Sequence, residues 1–114
     1  MFSIHHMDIR AADLGLLLAL DALLDERNVT RAAKRLNLSQ PAMSAQLSRL
    51  RALFEDELLV PSWRSMVPTA RASALQGPLH ELLEQLSTLI AEQQAFDAAT
   101  AQRTFRIIAA DYVH

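Results

Sequence analysis

The stretch NVTRAAKRLNLSQPAMSAQLSRL, residues 28–50, decides the fold of this chain. Thr30 is a good N-cap for a short helix over residues 31–36. Ser39 is a second cap residue, and Pro41 falls in the first turn of the following helix, where its missing N–H costs little. The sequence therefore predicts two helices separated by a tight turn.

The second of these helices is predicted over residues 40–54, with one apolar and one polar face. Its apolar stripe recurs at steps of four and three and comprises Met43, Leu47, Leu50 and Phe54. We expect Leu38, Met43 and Leu47 to fill the space between the helices, which approach closely at Ala33. The opposite face carries short or amide side chains, namely Gln40, Pro41, Ser44, Ala45 and Ser48. Such a face fits a DNA major groove, where glutamine pairs with adenine and small apolar groups touch the thymine methyl.

Basic residues concentrate on the same stretch. The net charge of the chain is −2, which by itself argues against a nucleic-acid partner. Residues 27–54, however, contain no acid and six bases: Arg27, Arg31, Lys34, Arg35, Arg49 and Arg51. Such a block suits a surface that faces phosphates, because each neutralised phosphate releases condensed counterions. On charge alone, a solvated basic helix face is the alternative.

The flanking residues predict one helix before this stretch and a small hairpin after it. Residues 13–26 form an amphipathic helix that Asp13 can cap, with Leu16, Leu17, Leu20, Leu23 and Leu24 on its apolar side. After the acids at 55–57, two short apolar runs surround a polar centre, although Pro61 limits their pairing. We call this hairpin the wing.

A long helix is predicted from residue 69 to about residue 94. Its leucines repeat at heptad spacing: Leu75, Leu79, Leu82, Leu86 and Leu89. Gly77 and Pro78 interrupt the helix, so we expect a kink or the loss of one backbone hydrogen bond. The seam is predicted to pair two subunits, and the alternative is a core within one chain.

The C-terminal residues are predicted to form a linker over 95–102 and a β-strand over 104–113. Phe105, Ile107 and Ile108 lead this strand. A lone strand has no partner in the chain, so the sequence is expected to stop at the edge of a second domain.

Several classes of protein and site are not expected. The chain has no cysteine, which removes disulfides, thiol nucleophiles and sulfur-ligated zinc. No apolar run approaches the roughly 20 residues of a membrane helix, and residues 1–7 do not resemble a signal peptide. The four histidines are scattered, so no metal site is predicted. No nucleophile with a base partner is found, so the chain is not expected to be an enzyme.

Residues 28–44, continued by Leu47, Arg49 and Leu50, resemble the N-terminal DNA-binding domain of LysR-type transcriptional regulators. The resemblance extends over about residues 8–113 and is strongest to the subgroup of nodulation and aromatic-catabolism regulators. It implies a winged helix-turn-helix, a linker helix that pairs two subunits, and a C-terminal effector-binding domain. Only the first strand of that domain would lie in this chain. A small-molecule effector would bind the absent domain, and no cofactor is expected here.

Candidate DNA-binding residues follow from the surface argument and from the resemblance together: Thr30, Arg31, Arg35, Ser39, Gln40, Pro41, Ser44, Ala45, Ser48, Arg49 and Arg64. Two departures from the family pattern stand out. Many relatives have an arginine at the position of Ala45, and relatives tend to have Arg and Gly near Pro61 and Trp63. The wing is therefore expected either to contact the minor groove or to pack Trp63 against the core.

The predicted fold is mainly α, with a leader (1–12), a winged helix-turn-helix (13–68), a dimerisation helix (69–94) and a C-terminal linker with one strand (95–114). The predicted function is sequence-specific binding of double-stranded DNA by a dimeric transcription regulator. Its predicted location is the bacterial cytoplasm, at the nucleoid, and a tetramer of the full-length protein and contact with RNA polymerase are further expectations. The alternative is a helical dimerisation or protein-interaction module, a truncated regulator without DNA binding of its own.

Overall fold

The computed structural model describes the backbone of residues 10–112 and the side chains of residues 10 and 12–104. Its elements are α1 (Ala11–Glu26), α2 (Val29–Arg35), α3 (Gln40–Phe54), β1 (Leu59–Ser62), β2 (Ser65–Pro68) and α4 (Ala70–Tyr112). The predicted three-helix arrangement with a wing and a long following helix is confirmed. The chain divides after His80 into two compact units. Among the described residues, no helix is both long and apolar enough to cross a membrane.

Helix α1 begins at Ala11, inside the segment predicted to be a leader. Arg10 occupies the N-cap position, and the Asp13 carboxylate accepts a hydrogen bond from its backbone N–H at 3.1 Å. Asp13 therefore closes the first turn from within the helix. The helix ends at Glu26. The C-cap residue Arg27 follows, and its left-handed φ of 51° lets its N–H donate to the Leu23 carbonyl at 2.8 Å.

Helices α2 and α3 both begin at side-chain caps. Asn28, and not Thr30 as predicted, caps α2, and its Oδ1 accepts from the Arg31 N–H at 2.8 Å. Thr30 lies one residue inside the helix because the asparagine side chain already satisfies this donor. Ser39 caps α3 as predicted, since its Oγ accepts from the Ala42 N–H at 3.2 Å.

The core of the first unit lies where α1, α2 and α3 pack against one another. The predicted stripe of α3 is buried at Met43, Leu47 and Leu50, while Phe54 is half-buried. Ala32 and Ala33 are buried at the close approach of α2. Leu38 does not fill this space as predicted, because 37% of it is exposed. Side chains of α1 occupy the space between the helices instead, and the fully buried ones are Leu20, Leu23 and Leu24.

The wing is an antiparallel hairpin with Leu59 opposite Pro68 and Ser62 opposite Ser65. Trp63 and Arg64 form its two-residue tip. Arg51 of α3 fastens the base of the hairpin, because its guanidinium donates to the carbonyls of Glu57 and Leu59, both at 2.8 Å.

Helix α4 corrects the prediction for the C-terminal residues. The expected linker (95–102) is helical, and so is the expected strand as far as Tyr112, with Val113 outside the described residues. A lone strand leaves its backbone groups without partners, whereas a helix pairs its own. Alanines at 91, 95, 98, 99 and 101 add helix propensity. Pro78 lies inside α4, where it has no N–H for the Ala74 carbonyl, and the expected kink stays a prediction.

Candidate nucleic-acid interface

One face of α3 is exposed to solvent along its whole length. It carries every residue of this helix that the sequence assigned to DNA: Gln40, Pro41, Ser44, Ala45, Ser48 and Arg49. The opposite stripe is buried in the core, so the 3.6-residue period of the helix separates the two sets. The exposed face has no acidic side chain and little bulk, which leaves room for an approaching groove.

The predicted phosphate contact at Arg35 is engaged within the protein. Its guanidinium lies 3.0 Å from Asp25, and 3.6 Å from both Asp21 and Glu26. The hydrogen bond to Asp25 raises the pKa of Arg35 above its usual value, against the opposing effect of burial. Three carboxylates therefore neutralise this charge, and its side chain joins α2 to α1.

Three bases of the basic block that lie on α2 and α3 remain available for a ligand. The side chains of Arg31, Lys34 and Arg49 are exposed, and none makes a hydrogen bond or ion pair to another residue that the structure describes. Arg51, by contrast, is bound to backbone carbonyls of the wing. The sequence does not show which of these bases are engaged within the protein, because the partners of Arg35 and Arg51 lie outside residues 27–54.

The tip of the wing projects an aromatic and a basic side chain. Trp63 is 81% exposed, so the expected alternative that it packs against the core is wrong. The Arg64 guanidinium carbon lies 5.0 Å from the centroid of the Trp63 ring, within cation–π range. Arg64 has a left-handed φ of 60°.

A second polar cluster, which the sequence did not predict, joins α1 to the start of α4. His80 Nδ1 lies 3.4 Å from Asp21 Oδ1, and the Gln76 amide donates to Asp25 at 3.2 Å. Ligand-type atoms of Asp21, Asp25 and His80 lie within 4.8 Å of one another. Because Arg35 and Gln76 already donate to both oxygens of Asp25, we assign the cluster to an ion-pair network. Sequence separations above fifty residues hid it from spacing arguments.

The predicted leucine seam of α4 divides between the two units. Leu79 is only 8% exposed and belongs to the core of the first unit, which corrects its assignment to the seam. Leu75 is half-buried there. In the second unit, Leu82, Leu86 and Leu89 are 53%, 37% and 61% exposed, and the neighbouring Ile90 and Phe96 are exposed as well.

The three packed helices, the exposed face of α3 and the wing define a winged helix-turn-helix protein of the DNA-binding regulator class. Residues 14–73 match the family model described as "Bacterial regulatory helix-turn-helix protein, lysR family". The chain belongs to this family, whose members are transcription regulators and not a class of enzymes.

Curated relatives agree with this family and with the predicted resemblance to nodulation regulators. Nodulation protein D 1 of Bradyrhizobium elkanii is 49% identical over 107 residues, which cover 94% of this chain and 34% of the relative. Nodulation protein D 2 of Rhizobium tropici is 45% identical over the same length. The chain spans about a third of the length of these relatives.

Solved structures are similar to about two thirds or more of this chain. A probable transcriptional regulator from Pseudomonas aeruginosa superposes with a TM-score of 0.64 at 42% identity, covering 67% of this chain and 25% of that one. The DNA-binding domain of CbnR, solved in complex with DNA, superposes with a TM-score of 0.62 at 30% identity. That match covers 71% of this chain and 93% of the CbnR chain.

Proposed function

We propose that this chain binds an approximately two-fold-symmetric DNA operator as a homodimer, with one α3 helix in the major groove of each half-site. The exposed face of α3, which has no acidic side chain, carries this proposal, because the helix is anchored by the buried Met43, Leu47 and Leu50. A fixed helix with short polar side chains can approach base edges closely enough for direct readout. The solved complex of the CbnR domain with DNA supports the same partner.

Individual residues take different parts in this contact. Gln40, Ser44, Ala45 and Ser48 are proposed to face base edges, with Pro41 beside a thymine methyl. Arg31 and Arg49 supply charge to phosphates, as does Lys34, since none of the three is paired within the described residues. Thr30 is exposed and can reach a phosphate, whereas the Ser39 hydroxyl mainly caps α3. Arg64 is proposed to contact DNA from the wing.

The exposed leucines of the second unit support pairing of two chains. Leu82, Leu86 and Leu89 repeat at heptad spacing and leave apolar surface in water. A parallel or antiparallel partner helix would remove that surface from solvent. Two paired chains would present two α3 helices, which is what a symmetric operator requires.

The remaining expectations concern the full-length protein. We propose that it works at the nucleoid in the bacterial cytoplasm, contacts RNA polymerase, and binds its small-molecule effector in a separate C-terminal domain. The residues of this chain are proposed to need no cofactor for DNA binding. The relatives, about three times as long as this chain, leave room for such a domain.

Selection from a random pool of double-stranded DNA at two salt concentrations tests this function. We expect a two-fold-symmetric motif, bound by two chains, with an affinity that falls as salt rises. The alternative function is a dimerisation module without DNA binding, favoured by the same exposed leucines. Dimers that show no salt-sensitive affinity for any duplex, even at low salt, would favour that alternative and contradict the proposal.

A further inference from the structure

We propose that Asp21 and Asp25 of α1 hold the N-terminal part of α4 in a fixed direction against α2, and so select the spacing between operator half-sites that a dimer binds. The two carboxylates and their partners Arg35, Gln76 and His80 are called the clamp. These are positioning residues, because they act through the placement of α3 and not by touching DNA. The inference rests on the proposed function and extends it from the reading of bases to the reading of spacing.

Each carboxylate of the clamp contacts α2 with one oxygen and α4 with the other. Asp25 accepts hydrogen bonds from the Arg35 guanidinium at 3.0 Å on Oδ2 and from the Gln76 amide at 3.2 Å on Oδ1. Asp21 lies one turn earlier, with Oδ2 3.6 Å from the Arg35 guanidinium and Oδ1 3.4 Å from His80 Nδ1. Residues four apart lie on one face of a helix. Two contacts one turn apart resist rotation of α4 about either of them, so the clamp fixes a direction as well as a position.

Burial distinguishes the clamp from an ordinary surface ion pair. Asp21 is 8% exposed and is the buried polar side chain among the residues that the structure describes. A buried carboxylate is costly unless polar or charged groups surround it, so an apolar residue would occupy this position at lower cost. Polar contacts shielded from water also keep their geometry better than exposed pairs do. A directional contact in place of an apolar one is what a positioning role requires.

The clamp spans a weak point of the α4 backbone. Pro78 has no N–H to donate to the Ala74 carbonyl, and Gly77 beside it favours a helix less than most residues do. Gln76 precedes this pair of residues, and His80 follows it. Helix α4 is therefore tied to α1 on both sides of the point where its own hydrogen bonding is interrupted. Side-chain contacts supply there the rigidity that the backbone does not.

The direction of α4 matters because the helix continues into the leucines that are proposed to pair two chains. Leu82, Leu86 and Leu89 follow His80 along the same helix. In a dimer, the direction of α4 in each chain decides the separation of the two α3 helices. Half-sites one turn of DNA apart are separated by about 34–36 Å. A two-site binder loses affinity steeply when its geometry does not match that span. A stiff clamp therefore predicts a sharp preference for one spacing.

Three kinds of labelled duplex test this role with the whole chain. They are the operator recovered from the random pool, the same operator with base pairs added to or removed from its centre, and a single half-site. Each added base pair moves one half-site by about 3.4 Å and turns it about the duplex axis. Fluorescence anisotropy measures the affinity for each duplex. We expect the unchanged chain to bind the altered spacings about tenfold or more weaker than the operator.

The variant that removes both contacts of α4 is Gln76→Ala with His80→Ala, which leaves Arg35 paired with both carboxylates. We expect it to bind the operator about fivefold or more weaker and to lose most of the spacing preference, while its affinity for the half-site stays within about twofold. Asp25→Ala, which removes one contact from the α1 side, should give a smaller change in the same direction. Gln85→Ala is the matched control, because this exposed amide has no hydrogen bond to another described residue.

These measurements separate positioning from general stability. A merely structural role would lower the urea midpoint of unfolding and weaken binding to the half-site and to the operator alike, with the spacing preference unchanged. That result would overturn the proposal, as would a double variant that keeps both its operator affinity and its spacing preference. A double variant that no longer pairs in sedimentation equilibrium would assign the clamp to dimer formation and also overturn the proposal. The proposed function survives all three results. If the unchanged chain binds no duplex at any salt concentration, the proposed function fails, and the clamp has no spacing to select.

Discussion

Asp56 shows how one side chain can fix the geometry of three elements. Its Oδ2 accepts hydrogen bonds from the Thr69 hydroxyl at 2.6 Å and from the Leu58 N–H at 2.8 Å. Thr69 in turn accepts from the Ala72 N–H at 3.1 Å and so caps α4. The turn after α3, the base of the wing and the start of α4 are thereby joined. These bonds, led by the one from Thr69, lower the pKa of Asp56.

Acid is expected to weaken the fold through this residue. A carboxyl whose pKa is depressed in the folded state stabilises the fold above its unfolded pKa of about 3.9. That contribution is lost as the pH falls through the lower, folded pKa. The measurement is the urea midpoint at pH 7 and at steps below about pH 4.

The matched variants for this test are Asp56→Asn and Glu55→Gln, the latter changing an exposed neighbour. Asp56→Asn should unfold at lower urea near neutral pH and lose part of the dependence on acid. Glu55→Gln should follow the unchanged chain. An equal acid dependence in both variants would show that Asp56 does not carry the effect.

At the DNA face, Gln40 and Arg31 are expected to act differently. Gln40→Ala should cost about 1–3 kcal/mol on the selected operator and relax the base preference at one position. Arg31→Ala should weaken binding to all duplexes about equally and reduce the salt slope by about 1. Competition assays with operator and mixed-sequence duplexes measure both effects. Gln85→Ala, which changes an exposed amide on α4, is the control. Equal losses of affinity on both duplexes for Gln40→Ala would show that Gln40 does not read a base.

Residue-level prediction succeeded where a contact is local and failed where it is not. The cap at Ser39 and the stripe of Met43 and Leu47 follow from spacing within one helix, and the structure confirms them. Arg35 was assigned to phosphate because its neighbours in sequence are basic. Its actual partners lie nine or more residues away on α1, where no pattern within the basic block could reveal them.

At the scale of elements, the helices were predicted well because their signals are periodic and their caps are explicit. The C-terminal strand was wrong for an instructive reason. Alternating apolar residues over 104–113 fit a strand, but a strand is stable only when another pairs with it. Among the residues that the structure describes, no strand pairs with this segment, and its residues continue the preceding helix as far as Tyr112.

Replacing a glycine within these helices by alanine is expected to stabilise the fold. Gly15 lies within α1, beyond its first turn, and an added Cβ would have no atom within 4 Å. Gly15→Ala should therefore raise the free energy of unfolding by about 0.5–1 kcal/mol, since alanine loses less backbone entropy. Urea denaturation followed by circular dichroism measures the change.

Gly77→Ala provides the comparison, because a Cβ added at Gly77 would also have no atom within 4 Å. Pro78 follows it, and the proline ring disfavours helical backbone at a preceding residue that carries a Cβ. We expect a smaller gain than at Gly15, or a loss. Equal gains at both sites would contradict this effect of the proline.

At the scale of the whole molecule, the apolar surface of the second unit predicts self-association. Replacing both Leu82 and Leu89 by Glu should weaken the dimer at least about a hundredfold, because each buried leucine contributes about 1.5–3 kcal/mol. Sedimentation equilibrium over a range of concentrations measures the change, with circular dichroism to confirm that the helices remain.

Leu53→Glu is the matched control for the dimer, because Leu53 is 55% exposed on α3 and lies outside the heptad positions. It should leave the association unchanged. If the Leu82 and Leu89 double variant associates as strongly as the control, the exposed leucines do not form the dimer surface.

At the scale of the whole molecule, the sequence predicted the class of protein best. It predicted least well which leucines of α4 are buried in the first unit and which are exposed. The heptad spacing does not distinguish leucines that pack within the first unit from leucines that face solvent, so Leu79 was placed with the wrong group. That distinction depends on tertiary contacts, which a one-dimensional period does not contain.

Helix α3 keeps its stabilising residues and the residues that we propose to read bases on opposite sides. A substitution at Gln40, Ser44 or Ala45 meets solvent and not the core. Under the proposed function, such a substitution should alter which bases are preferred without loosening the fold. After a gene duplication, one copy could acquire a new operator through single mutations that remain viable at every step. The same separation makes this helix a practical starting point for engineering regulators with chosen target sequences.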